Sequence, residues 1–208
     1  MLNKSKVCVV GCGGLGGYII EMLGRLGVGS ITVVDGDVFD ETNLNRQLLS
    51  DENTIGKSKA LEAQKRMAVV NSDIKVIPIV EFINELNAVD ILKDHQVIVD
   101  ALDNIPSRFI LQEFSSKLNI PLVHGAIAGW YGQVSTIFPN DNTLNTIYRK
   151  DESHGIEKEL GNPSFTPALI SSIQVSEVVK ILINRGDLLR RKLLFINTLN
   201  HEYDVLDL

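Results

Sequence analysis

A short β-rich run, KVCVV at residues 6–10, leads into GCGGLGG, and an apolar stretch at helical spacing follows. That order of strand, glycine turn and helix constrains the chain more than any other feature in it. Gly11, Gly13 and Gly16 stand in the Gly-x-Gly-x-x-Gly spacing, with Gly14 inside it. Asp35 closes the next apolar run, SITVVD, roughly 20 residues further on, where a dinucleotide-binding unit places its acid. Glycines there let the backbone approach a phosphate, the helix N-terminus favours the anion, and the acid can accept from ribose hydroxyls. A hydrogen bond to such a charged partner contributes roughly 1.5–3 kcal/mol. The alternative is a tight turn with no ligand; strand, helix and acid together favour a nucleotide. The motif alone does not separate NAD from ATP.

The remaining pattern extends the unit. Leu15, Ile19, Leu23 and Leu26 recur at helical spacing, and Gly27 and Gly29 close that segment. SITVVD is nearly continuous in apolar residues, as in a buried parallel strand. Residues 56–70 read as a helix, IKVIPIV as a third strand and residues 87–92 as a short helix. QVIVDALDN is a fourth strand ending in acid and amide, residues 107–118 a helix, and IPLVHGAIAG the start of a fifth strand. This alternation predicts right-handed crossovers and an α/β, Rossmann-like, doubly wound, mostly parallel sheet. After Gly129 the rhythm changes. YGQVSTIF, RKLLFIN and EYDVLDL read as strands around one helix at 167–184, which predicts an antiparallel C-terminal part. A single domain over 1–208 is expected, with 1–129 as nucleotide-binding half and 130–208 as antiparallel half. Residues 139–167 have no clear periodicity, and loops of that length are usually functional or mobile.

Composition narrows the partners. The net charge of −6 and the absence of any Lys/Arg run leave no electrostatic footprint for nucleic acid. No run of 18 apolar residues is present, so no membrane span is expected. The two cysteines, Cys8 and Cys12, flank a strand end that would hold them ~10–13 Å apart, too far for a disulfide. The N-terminal lysines followed by apolar residues imitate a signal peptide, but glycines interrupt the stretch and no polar cleavage region follows. A cytoplasmic location is the expectation.

A second polar cluster bears on the nucleotide. Asn43, Arg46 and Gln47, in NLNRQ, follow the second strand; Lys59 enters the next helix; Asp103 and Asn104 end the fourth strand. The carboxyl ends of neighbouring strands in a doubly wound sheet meet at one crevice. Two fixed cations, Arg46 and Lys59, would there face the same ligand as two or three carboxylates, Asp35, Asp37 and Asp103. Hydride transfer puts no new charge on a phosphate and needs no such arrangement. Reaction at a triphosphate does, because cations clamp the developing charge and an acid such as Asp103 holds Mg²⁺. Arg46 would then grip phosphate while Asn43 and Gln47 orient it and the attacking group. The plainer reading makes Lys59 and Arg46 solvated helix-end charges.

Taken in order, GCGGLG, VVDGD, NLNRQ, GKSKA, ALDN and HGAIAGWYGQV resemble the ThiF/MoeB/HesA family, bacterial relatives of ubiquitin-activating enzymes, from Val7 to about Asn200. The resemblance implies a homodimeric adenylation domain. Such a domain uses Mg-ATP to activate the C-terminal glycine of a small ubiquitin-like sulfur carrier and releases pyrophosphate. By position, Gly11 and Asp35 match the family's nucleotide contacts, and Asn43, Arg46 and Lys59 its phosphate contacts. Asp103 matches the metal-linked acid, Asn104 follows it, and Arg108 completes the Asp-Asn-x-x-x-Arg pattern.

The departures are informative too. Many members bind a structural zinc through two Cys-x-x-Cys pairs, and no cysteine follows residue 12 here, so no zinc site is expected. The reactive loop cysteine of longer members is also missing, which predicts no thioester or persulfide in that loop. Longer members begin with helices that send an Arg into the partner's ATP site. With the first strand at about residue 6, that Arg is expected to be absent, with Arg149, Arg190 and Arg191 as conceivable substitutes. Cys12, within the glycine turn, reads as packing, and His95, before a strand, as a surface residue. Gly125, Gly129 and Gly132 would leave room for a Gly-Gly tail, with GNPSFTPALISS part of the same channel and Trp130 and Tyr131 either flanking the tail or packing. Other readings stay open: an NAD-dependent oxidoreductase, a non-catalytic subunit of an activating heterodimer, or a relative that adenylates a small molecule or a tRNA base.

Overall fold

In a computed structural model, residues 2–149 and 160–208 are described. Their centre is one sheet in which β1 (Lys6–Val10), β2 (Ser30–Val34), β3 (Lys75–Ile79), β4 (Val97–Asp100) and β5 (Leu122–Ala128) run parallel. Three antiparallel strands continue it: β6 (Tyr131–Ile137), β7 (Lys192–Asn197) and β8 (Glu202–Asp207). The spatial order is β3-β2-β1-β4-β5-β6-β7-β8. The chain therefore winds outward one way through β2 and β3, then returns to start again at β4 beside β1. Between the carboxyl ends of β1 and β4 the winding reverses, and there an open α/β sheet leaves its crevice.

Strand sequence explains the layering. Alternate residues of β1 go to opposite faces. Val7 and Val9 enter one core with α1 (Gly14–Arg25), α2 (Lys59–Val70) and the long α6 (Phe165–Ile183). Cys8 and Val10 enter the other, with α3 (Ala88–Leu92) and α4 (Ile105–Leu118). Both faces are covered, which is why the parallel strands read as unbroken apolar runs. The helix ends follow local chemistry. Gly27, at φ +76°, reverses the chain after α1, and Ser58 Oγ accepts from Leu61 N–H at the start of α2. Asn104 Oδ1 takes the N–H of Ser107 (3.0 Å) to open α4, and the left-handed Asn119 ends it.

Three expectations are revised here, and that of no membrane span is not overturned. Strand β4 stops at Asp100, so Asp103 stands in the connection beyond it. The region 139–167 contains a short helix, α5 (Thr143–Ile147), and the beginning of α6; the expectation of an irregular loop at 150–159 lies outside the described residues. By length and composition α6 could cross a membrane, although no such run was expected; it is broken by Gln174, Glu177 and Lys180. It packs on α1 and on β4, β5 and β6, as a core helix does. His95 is half-buried, with its ring 2.8 Å from Thr32 Oγ1 and 3.0 Å from the Leu92 carbonyl, so it ties β2 to the end of α3.

Glycines set the approach of α6. A Cβ on Gly125 would collide with the Gln174 carboxamide, and one on Gly132 with the Ile170 side chain. The space over these two residues is therefore filled by α6, and the room expected there for a peptide tail is absent. Gly129, at φ +57°, turns β5 into β6, while Trp130 beside it is 44% exposed and lies against Phe165 with ring centroids 4.8 Å apart.

Candidate active site

A cavity of about 660 Å³ opens at the carboxyl ends of β1, β2, β3 and β4. Its floor is the glycine turn. Gly11, at φ +98°, lies so close to Ala101 that a Cβ would strike that residue's carbonyl. Only glycine fits between the ends of β1 and β4. Gly13 and Gly14 line the cavity, whereas Gly16 lies under the turn, where a Cβ would collide with the Gly11 carbonyl. Gly16 thus packs helix on strand rather than facing a ligand.

Asp35 directly follows β2 and faces this turn. Its Oδ2 accepts from Cys12 N–H (2.7 Å) and its Oδ1 from Asp37 N–H (2.8 Å), so the acid also braces the glycine loop. Burial pushes its pKa above the usual carboxylate value; the two N–H groups and Lys59 pull it back in part. Lys59, 8% exposed at the first turn of α2, is 3.2 Å from Asp37 Oδ2, and both line the cavity.

Arg46 and Gln47 form the wall expected of them. Arg46 Nη1 donates to the Thr42 carbonyl and to Asn45 Oδ1, each at 2.9 Å, which fixes the guanidinium at the cavity edge. Gln47 is 6% exposed, yet its Oε1 has no protein partner. An orphaned buried acceptor beside a cavity awaits a donor. Asn43 is placed differently. It is buried in its own turn, where its Oδ1 accepts from Asp40 N–H (3.1 Å), and it does not line the cavity. Its contribution is to shape the turn that carries Arg46.

On the opposite side stand Asp103, exposed and lining the cavity, Asn104, which lines it while capping α4, and Arg108. The structure thus gathers Gly11, Gly13, Gly14, Asp35, Asp37, Arg46, Gln47, Lys59, Asp103, Asn104 and Arg108 around one space. Arg149, Arg190 and Arg191 are not part of it. Arg190 and Arg191 both pair with Asp141, at 2.8 and 3.4 Å. Cys12 is buried and its thiol is pushed well above the usual range, first by desolvation and then by Asp35. Such a thiol is a poor nucleophile.

Some of the wall was not anticipated. Glu81, Phe82 and Ile83 follow β3, and Phe82, 65% exposed, closes over Gly36. Their only signal in sequence was position, since β3 must end at the same edge as β2. Gly161 and Asn162 cross from the other half, held by Gly129 N–H on the Gly161 carbonyl (2.8 Å) and Asn45 Nδ2 on the Asn162 carbonyl (3.2 Å). Of the polar cluster behind the site, comprising Asp100, His124, Gln133 and Tyr148, sequence gave no sign.

Comparison with known proteins agrees with this fold. The family model of the ThiF family matches residues 1–208. The chain belongs to the ThiF family. Among this family's proteins, the SAMP-activating enzyme E1 of Haloferax volcanii is 32% identical over 206 residues, spanning 98% of this chain and 76% of that one. The sulfur carrier protein adenylyltransferase of Thermus thermophilus is also 32% identical, over 97% of this chain and 78% of its own. The adenylyltransferase and sulfurtransferase MOCS3-1 of Zea mays is 30% identical, and the chain spans only 45% of its length. Two crystal structures share the fold: PaaA, with a TM-score of 0.83 at 20% identity, and Escherichia coli MccB with ATP, at 0.81 and 20%. Each match covers 99% of this chain and 64% of the solved one.

Proposed function

We propose that this ThiF-family chain is an ATP-dependent adenylyltransferase that activates the C-terminal glycine of a small ubiquitin-like sulfur-carrier protein. The observation that carries the reading is the placement of two cations, Arg46 and Lys59, beside four cavity-lining carboxylates, Asp35, Asp37, Glu81 and Asp103, around a glycine turn. It is supported by relatives named as activating enzymes for such carriers. ATP would lie with its ribose toward Asp35 and its phosphates over the glycine turn. The carrier carboxylate attacks the α-phosphate, the bond to the pyrophosphate oxygen breaks, and a carrier acyl-adenylate and pyrophosphate result.

Charge grows on the phosphate oxygens as that bond breaks. Arg46 and Lys59 are already fixed beside it, so they stabilise this charge without reorganising. Lys59 exchanges Asp37 for phosphate as the nucleotide enters. Gln47 Oε1, an unpartnered acceptor, would take a hydrogen bond from a donor on the ligands, such as a ribose hydroxyl or the N–H of the carrier's terminal glycine. Among the described residues no cluster of three His, Cys, Asp or Glu forms a metal cage. Mg²⁺ needs none, because it is usually bound through one or two carboxylates plus substrate phosphates. Asp103, an exposed carboxylate that lines the cavity, fits that role. When bound, Mg²⁺ would neutralise phosphate charge and favour release of pyrophosphate.

The reading divides the chain at about residue 129, with the nucleotide on 1–129 and the carrier tail entering along 130–208, past Gly161 and Asn162. It also includes a homodimer, as the family resemblance implies. The glycine turn by itself suits NAD equally well, and calorimetry separates the two. Mg-ATP is expected to bind and NAD to bind weakly or not at all; tighter binding of NAD than of ATP would overturn adenylation.

A further inference from the structure

Behind the cavity wall, five residues close a ring of hydrogen bonds. Leu102 N–H donates to Asp100 Oδ1 (3.0 Å), and Arg108 Nη2 donates to the Leu102 carbonyl (2.7 Å). Arg108 Nη1 donates to Tyr148 Oη (2.9 Å), Tyr148 Oη lies 3.2 Å from His124 Nε2, and His124 Nδ1 lies 2.7 Å from Asp100 Oδ2. The polarity of each link follows from its partners. Asp100 as a carboxylate only accepts, so His124 carries its proton on Nδ1 and presents a lone pair at Nε2. Tyr148 Oη already accepts from Arg108 and from Gln133 Nε2 (2.7 Å), so its own proton points to His124. Asp100 and His124 are fully buried, Arg108 is 6% exposed, and the His124 and Tyr148 rings meet edge to face at 5.7 Å.

The ring holds Leu102 from both sides, by its N–H and by its carbonyl. The next residue is Asp103. We propose that His124 and Tyr148 are positioning residues that, through Asp100 and Arg108, hold the Leu102–Asp103 turn where Asp103 meets the metal-linked phosphates of ATP. Tyr148 sits beyond α5 in the antiparallel half, so the ring fastens that half to the turn bearing Asp103. The proposal rests on the reading of Asp103 given above. A purely structural role, stapling β4, β5 and α4, is the competing account.

Calorimetric titration of ATP, once with Mg²⁺ and once with EDTA, distinguishes them. In the wild type Mg²⁺ tightens ATP binding, and Asp103→Asn removes most of that gain. Tyr148→Phe keeps the ring but removes the hydroxyl at which three links meet. It is expected to bind ATP in EDTA within about twofold of the wild type, yet to lose about tenfold of the Mg²⁺-linked gain, an effect of the size of a lost hydrogen-bond set. His124→Asn keeps a donor toward Asp100 but places no acceptor where Nε2 stood opposite Tyr148 Oη, and should behave as Tyr148→Phe does. In the double variant Tyr148→Phe/Asp103→Asn, no further loss is expected beyond Asp103→Asn, because residues acting through one group are not additive. A lowered melting temperature with an undiminished Mg²⁺-linked gain in Tyr148→Phe and His124→Asn would overturn the proposal, as would additive losses in the double variant. If Asp103→Asn keeps the full gain, the reading of Asp103 fails first, and the positioning role falls with it.

Discussion

Arg46 is the residue on which the proposed chemistry turns. Its Nη1 is committed to the Thr42 carbonyl and Asn45 Oδ1, so the guanidinium is held in place before any ligand arrives. A donor preorganised in this way acts mainly on the transition state. Arg46→Ala is therefore expected to cut ATP–pyrophosphate exchange by about 10²–10³-fold, with a smaller change in ATP affinity. Arg46→Lys should recover only part, since an ammonium cannot bridge two oxygens as a planar fork can. Equal losses in exchange and in binding would assign Arg46 to ground-state binding alone. The two thiols give an independent check. Both are buried, and burial raises the pKa of each. A thiol reagent at neutral pH should leave Cys8 and Cys12 unmodified in the folded chain and label both in denaturant. Rapid labelling of Cys12 in the folded chain would put it back among the nucleophiles.

At the scale of elements, the glycines of β5 and β6 are spacers for α6, so adding a methyl group at either should overpack the sheet. Gly125→Ala and Gly132→Ala are each expected to lower stability by about 1–3 kcal/mol, measured by denaturant unfolding; an unchanged midpoint would mean that α6 adjusts freely. The ring around His124 makes a second prediction. Burial pushes the imidazole below its usual 6.5 and Arg108 adds to this, while Asp100 opposes it; Tyr148 and Gln133 face it without charge. In the unfolded chain the imidazole titrates near 6.5. Below that pH the unfolded chain takes up a proton that the folded one refuses, so stability falls as pH drops from about 6.5 toward the folded pKa and levels off beneath it. Above about 6.5 this contribution vanishes. Between pH 7.5 and 5.5 the wild type should lose more stability than His124→Asn; equal losses would place a charged imidazole in the ring.

These elements also explain what the sequence made legible. Strand–turn–helix and the acid of β2 are local, and their spacing carried the crevice, Asp35, Arg46, Gln47, Lys59 and Asp103 together. Asn43 was misplaced because a side-chain amide can cap its own turn or face outward, and spacing does not distinguish the two. Gly125 and Gly132 signalled close approach, but not whether a peptide or α6 would approach. Asp100, His124, Gln133 and Tyr148 come from four separate segments and meet only through the register of β4, β5 and β6, which no local pattern records.

For the whole molecule, one continuous sheet serves two purposes. Its parallel part reverses its winding between β1 and β4 and opens the nucleotide crevice. Its antiparallel part returns through β6, β7 and β8 and sends Gly161 and Asn162 to the rim of that crevice. A nucleotide held by one part and a peptide tail brought along the other would meet at the α-phosphate. The most direct measurement is exchange of labelled pyrophosphate into ATP, with Mg²⁺, in the presence and absence of a small ubiquitin-like carrier ending in Gly-Gly. The account predicts exchange that depends on the carrier and on its terminal glycine, with a carrier acyl-adenylate as product and no covalent link to this chain. Exchange that is indifferent to the carrier, or a carrier–chain adduct that survives denaturation and is cleaved by thiol, would contradict it.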